Sequence, residues 1–109
     1  GLAARPLSNG KTFLYASDST STIKEIDPST WSLIREIKIT NQKGIPVKYL
    51  NELEIIPTTA TTSNYLFANQ FQSNSIYMVD LRDGKVVKSW NLEELLVLEQ
   101  SHVYENKLG

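Results

Sequence analysis

The 109-residue chain is 40% hydrophobic, with 11 basic against 12 acidic side chains, so it can supply a modest core and offers no electrostatic reason to bind nucleic acid or an anionic membrane surface. It has no cysteine and one histidine, which excludes disulfides, thiolate chemistry and cysteine-based zinc sites in this stretch and leaves His102 without a second histidine to share a metal. No apolar run reaches membrane-spanning length, and Gly1 to Pro6 lacks the apolar core of a signal peptide.

Leu2 to Leu7 shows little periodicity, and Ser8-Asn9-Gly10-Lys11 is a turn of the kind that joins two strands. Thr12 to Ser17 then reads as a strand, Asp18 to Ser21 as a break, and Thr22 to Asp27 as the next strand. Asp27-Pro28-Ser29-Thr30 turns the chain, because proline fixes its own φ and aspartate bonds the turn backbone. A third strand runs through Trp31, Leu33, Ile34, Ile37 and Ile39, and Asn41-Gln42-Lys43-Gly44 is the next turn. The stretch from Tyr49 to Ile56 has high strand propensity, yet places the polar pair Asn51 and Glu52 where a half-buried strand would put apolar residues. Something other than packing selects that pair.

Beyond it, residues 57–64 form a polar, low-complexity stretch that cannot support a packed core and reads as an exposed insertion. Strand patterns resume at Tyr65 to Asn69, Ser75 to Asp80 and Lys85 to Trp90. The period then changes: Asn91 as a cap, Glu93 and Glu94 in a first turn, and Leu92, Leu95, Leu96 and Leu98 suggest a short helix near 91–98.

The two halves repeat. Leu14 to Ser17 matches Leu66 to Asn69, Ile23 to Asp27 matches Ile76 to Asp80, and Leu33, Ile34 and Ile37 match Val86, Val87 and Trp90. Two units of about fifty residues, each of strands punctuated by turns, are the mark of propeller blades. Residues 1–45 are expected to form part of one blade and 46–109 the next. Two blades cannot close a ring and would leave apolar faces uncovered, so the chain is expected to be a piece of one larger propeller domain.

The strings Tyr49-Leu50-Asn51-Glu52-Leu53-Glu54 and Phe67-Ala68-Asn69-Gln70-Phe71-Gln72, followed by Ile76, resemble those of the plant and bacterial glutamine cyclotransferases. A weaker string, Ser17-Asp18-Ser19 leading to Thr22-Ile23, agrees, and the resemblance runs from Gly1 to about Leu96. It implies a five-bladed β-propeller that converts the N-terminal glutamine of peptides and proteins to pyroglutamate, an intramolecular acyl transfer releasing ammonia, with no cofactor or metal. The partners implied are a peptide with N-terminal glutamine and the remaining blades, with neither nucleic acid nor membrane.

Five residues follow as candidate substrate contacts: Asn51, Phe71, Glu52, Asn69 and Gln72. In a propeller the first strand of each blade lines the channel, and an asparagine there offers a donor and an acceptor to a substrate amide. Capping a turn or binding neighbouring backbone is the alternative for Asn51. Glu52 and Glu54 point the same way in a regular strand and could do acid–base work or simply line a solvated face. Phe71 stands where the family has tryptophan, so it can wall off an aliphatic stem without an indole donor; ordinary packing is its alternative. Asn69, Gln70 and Gln72 fit loop hydrogen bonding as well as a site role. Asp18 reads as a turn residue, and Trp31 and Trp90 as packing between blades.

The glutamate that looks catalytic in the family belongs to an earlier glutamate-glycine motif, a tryptophan precedes the pair matching Gly1-Leu2, and a lysine follows Gly109. None of these has a counterpart here, so no catalytic acid or base is assigned. Alternatives are a non-catalytic propeller binding peptides or proteins at its channel mouth, and a structural repeat protein.

Overall fold

Alternating apolar and polar side chains, interrupted by turn residues every few positions, favour short antiparallel strands joined in sequence. The computed structural model describes residues 1–56 and 64–93. Its strands are β1 (Leu2–Pro6), β2 (Thr12–Ser17), β3 (Thr22–Asp27), β4 (Ser32–Lys38), β5 (Leu50–Ile55), β6 (Tyr65–Gln70), β7 (Ser75–Asp80) and β8 (Lys85–Asn91). They form two four-stranded antiparallel sheets in the orders β1-β2-β3-β4 and β5-β6-β7-β8, each the meander of a propeller blade.

β1 is the strand that periodicity misses. It exists because it pairs with β2 from Leu2↔Ala16 to Pro6↔Thr12, with Pro6 at the strand end, where its missing N–H is tolerated. Asn91 Oδ1 accepts the Glu93 N–H at 2.9 Å, as the expected cap requires. Most of the helix expected near 91–98, the expected insertion apart from Asn64, and His102 lie outside the described residues.

The repeat carries through to register. Ile26 pairs with Leu14 and Leu33, and Val79 pairs with Leu66 and Val86. The ladder slips at the equivalent place in both sheets, between Glu25 and Ile26 and between Met78 and Val79.

What differs is which face is covered. The first sheet buries Ala3, Tyr15, Ile23 and Ile37, whereas the second buries Leu53, Leu66, Ala68, Val79 and Val86. In the repeat alignment these belong to opposite faces. Leu33 corresponds to Val86 yet is 51% exposed against 5%, and on the second sheet Phe67, Ile76 and Trp90 stand where the first has Tyr15, Ile23 and Ile37. Each sheet therefore lays one face on its neighbour and repeats, on its other face, the pattern its neighbour buries. The sheets stack in series, as blades do.

A polar ladder crosses the first sheet's inner face. Arg5 Nη1 donates to Tyr15 Oη at 2.7 Å, Tyr15 Oη donates to Glu25 Oε2 at 2.7 Å, and Arg35 Nε donates to Glu25 Oε1 at 3.1 Å. Both guanidinium groups reach across the interface: Arg35 Nη2 donates to Leu81 O at 2.7 Å and Arg5 Nη2 to Asn64 Oδ1 at 3.3 Å. Burial by itself raises the Glu25 carboxyl, but the Arg35 and Tyr15 hydrogen bonds and the neighbouring cations hold it below its ordinary value. Burial, then the Glu25 contact, pushes the Tyr15 hydroxyl up to about 12.

The linker stitches the sheets together. Thr40 N–H donates to Gly84 O at 3.0 Å and Val86 N–H to Thr40 O at 2.9 Å. Gly84 has φ +75°, and a Cβ there would collide with Lys38 O; no other residue fits both demands. Trp31 occupies the corresponding turn position of the first sheet with φ +57° and is 75% exposed. It does not pack between the two sheets as expected, because the left-handed turn points it outward. Trp90 lies on the second sheet's uncovered face, edge-on to Phe67 with ring centroids 5.8 Å apart.

Gly84→Ala is expected to cost about 2–3 kcal/mol from left-handed strain and the backbone clash, measured by urea denaturation. Glu25→Gln is expected to cost about 2 kcal/mol at pH 7 by removing a charged acceptor from the Tyr15 and Arg35 side chains. Since the folded Glu25 value is depressed, its contribution is present above the ordinary carboxyl range and fades as pH falls through the lower folded value. The variant should therefore show a shallower acid limb. Tyr15 has the opposite sign: its contribution is present below pH 10 and lost as pH rises toward about 12.

Candidate functional site

All five candidate residues gather at the end of the sheets opposite the Arg5 and Arg35 contacts. The first strand of the second sheet begins there, and its polar pair falls on a bulge: Leu50 pairs with Gln70 and Leu53 with Ala68, so Asn51 and Glu52 together face Asn69. The regular alternation expected for this strand is broken. Leu50 and Leu53, three residues apart, both turn into the core, because the extra residue resets the phase.

The bulge is held through one peptide group. The Asn51 carbonyl accepts Ser17 Oγ at 3.1 Å, and the Glu52 N–H of the same peptide donates to Asn69 Oδ1 at 2.7 Å. Ser17 and Asn69 are repeat-equivalent residues, one the last of β2 and the other the last but one of β6. A third constraint is steric: a Cβ on Gly1 would collide with the Asn51 carbonyl oxygen, while Ser17 N–H donates to Gly1 O at 3.0 Å. Both ends of the Asn51–Glu52 peptide are thus occupied. Its side-chain carboxamide, which the sequence left free to cap a turn, has no hydrogen-bond partner among the described residues.

Beside the bulge, Tyr49 sits in the left-handed region at φ +62° and is 54% exposed. Its N–H donates to Ser19 O at 3.1 Å and its carbonyl accepts Phe71 N–H at 2.7 Å, so hydrogen bonds on both sides hold the strain. Ser19 and Gln72 are also left-handed, at φ +75° and +58°. Phe71 is 56% exposed and does not pack between the two described sheets. Tyr49, just before β5, and Phe71, just after β6, are two exposed aromatic residues at neighbouring strand ends.

Gln70 acts as a loop hydrogen bonder: its Nε2 donates to Lys48 O at 3.1 Å and its Oε1 accepts Tyr77 Oη at 3.4 Å. Asn69 spends its carbonyl on the bulge, whereas Gln72 makes no side-chain hydrogen bond among the described residues. Asp18 is a turn residue. Its Oδ1 accepts Thr20 Oγ1 at 2.6 Å and Thr20 N–H at 3.2 Å, and these bonds, chiefly the hydroxyl, hold its carboxyl below the ordinary value. It stays anionic and committed to the turn.

Glu52 and Glu54 are both exposed, with no ion pair among the described residues. They line a groove of about 350 Å3 with Phe67, Asn69, Ile76 and Leu92. The groove continues past Trp90 along the second sheet's uncovered face, the face that in the first sheet meets its neighbour. Among the described residues no three metal-ligating side chains come together. Sequence reasoning missed Ser17, Gly1 and Tyr49 as parts of this site. The Ser17–Asn69 equivalence was visible in the repeat, but a left-handed tyrosine leaves no mark in sequence.

A family model described as glutamine cyclotransferase matches residues 6–108. A glutaminyl-peptide cyclotransferase of Arabidopsis thaliana is 36% identical over 74 residues, covering 68% of this chain and 21% of the relative. The crystal structure of Myxococcus xanthus glutaminyl cyclase superposes with a TM-score of 0.63 at 21% identity, over 79% of this chain and 34% of that one. That likeness shows the β-propeller fold. The chain spans about a fifth of the length of the plant relative it matches.

Because hydrogen bonds rather than side-chain packing hold Tyr49 in its strained backbone, Tyr49→Gly is expected to leave stability unchanged or raise it by up to about 1 kcal/mol. Thermal and urea unfolding check this; a loss of stability larger than that would show that the phenol ring is a structural contact.

Proposed function

Since the chain belongs to the glutamine cyclotransferase family, we propose that it forms two blades of an enzyme converting the N-terminal glutamine of a peptide or protein to pyroglutamate with release of ammonia. The observation that carries this reading is the Asn51 carboxamide, unpartnered among the described residues and set on a bulge whose backbone is held from both sides. A free carboxamide on a fixed strand can read another carboxamide, donor to acceptor and acceptor to donor.

In the proposed reaction the neutral α-amine attacks the side-chain amide carbon of its own residue. A C–N bond forms, the bond to the amide nitrogen breaks, and the proton lost by the amine travels to the departing nitrogen as ammonia leaves. Holding the two ends of one side chain close together lowers the barrier because the reaction is unimolecular once the chain is folded back. Asn51 would fix the amide plane. Phe71 would cover the aliphatic stem and exclude water, and Gln72, whose side chain makes no hydrogen bond among the described residues, would supply a further contact. Glu52 stands as a secondary contact at the rim.

The acid–base group and the remaining blades are proposed to come from elsewhere in the protein. Leu14, Ala16, Ile26 and Leu33 on one outer face, and Phe67, Ile76 and Trp90 on the other, repeat patterns that are buried between the two described sheets. A further blade on each side would remove both faces from water.

The test is ammonia release from a glutamine-initiated dipeptide by the full-length protein and its Asn51→Ala variant, with circular dichroism to check the fold. Losing one hydrogen-bonded pair to a neutral amide is expected to lower kcat/KM by about 10- to 100-fold with the fold retained. No turnover by the full-length protein across a broad pH range would instead favour a non-catalytic peptide-binding propeller.

A further inference from the structure

The peptide group between Asn51 and Glu52 is bonded at both ends by side chains from two different sheets. Ser17 Oγ, from the first sheet, donates to its carbonyl at 3.1 Å; Asn69 Oδ1, from the second, accepts its N–H at 2.7 Å. A bulge normally leaves such groups outside the strand ladder, and an unladdered peptide is free to rotate about its flanking torsions. Two bonds in opposite directions, with Gly1 closing off the carbonyl side, remove that freedom.

Ser17 and Asn69 are equivalent in the repeat, and the same ladder positions bring Ser17 opposite Ile23 and Asn69 opposite Ile76. One structural position therefore serves the same peptide from both blades, once with a hydroxyl donor and once with a carboxamide acceptor. The two ends of the peptide need one donor and one acceptor, and here the hydroxyl supplies the first and the carboxamide oxygen the second.

We propose that Ser17 and Asn69 are positioning residues that act through Asn51: by fixing the Asn51–Glu52 peptide plane they set the direction of the Asn51 carboxamide. The inference rests on the cyclotransferase reading and reassigns Asn69 from substrate contact to support. The two blades then hold the site jointly, so that a shift of one blade against the other would rotate the residue that reads the substrate.

The experiment is a set of double-mutant cycles in the full-length protein, with ammonia release and melting temperature recorded for each variant. Ser17→Ala and Asn69→Ala are each expected to lower kcat/KM by about tenfold, while Asn69→Asp, which keeps the acceptor, is expected to stay within about threefold. In an Asn51→Ala background the same two substitutions are expected to cost less than about twofold, because the group they aim is gone. If the losses instead multiply with that of Asn51→Ala, or if both single variants lower only the melting temperature and leave kcat/KM within twofold, the positioning role is wrong while the enzyme reading stands. An inactive parent protein sinks both.

Discussion

Everything in this chain depends on laying one face of a twisted sheet on the opposite face of the next. Ile23, Leu66, Val79 and Tyr15 are fully buried by that contact, and each such side chain contributes about 1.5–3 kcal/mol relative to exposure. The polar ladder from Arg5 to Arg35 is worth less in net terms, because desolvation of Glu25 offsets much of what its partners return. Its effect is on alignment. Arg35 reaches the Leu81 carbonyl and Arg5 reaches Asn64, which fixes how the second sheet sits over the first.

That alignment matters at the far end of the sheets, because the bulge at Asn51 and Glu52 is held from both. Ser17 and Asn69 can meet the same peptide only if the blades are in register to a few tenths of an ångström, the range over which a hydrogen bond weakens. Packing and polar bonding thus have separate duties. Apolar burial stabilises the stack, while the ladder at one end and the peptide clamp at the other set its registration.

The site also shows where local rules give way. Strand β5 carries residues of low strand propensity, a bulge at its start and a left-handed tyrosine just before it, each unfavourable by itself. They persist because the surrounding hydrogen bonds over-determine them, and they coincide with the Asn51 carboxamide, unpartnered among the described residues, and the exposed ring of Phe71. A bulge and left-handed backbone held by surrounding hydrogen bonds in one place fit the proposed binding site on a rigid scaffold.

By itself the sequence determined the all-β class, the strand and turn order apart from β1, the repeat, and the oddity of Asn51 and Glu52, because alternation, turn chemistry and propensity act over a few residues. The family strings also pointed to Phe71 and to the Asn69 position. Only the tertiary structure decided that Asn69 serves the backbone, that Ser17 is its counterpart across the interface, that Glu52 lies on a bulge, and that Trp31 faces outward. Those outcomes turn on the packing phase between sheets and on left-handed backbone at Tyr49 and Trp31. Neither follows from residue type, because the same side-chain pattern can be buried on either face until a neighbouring sheet chooses one.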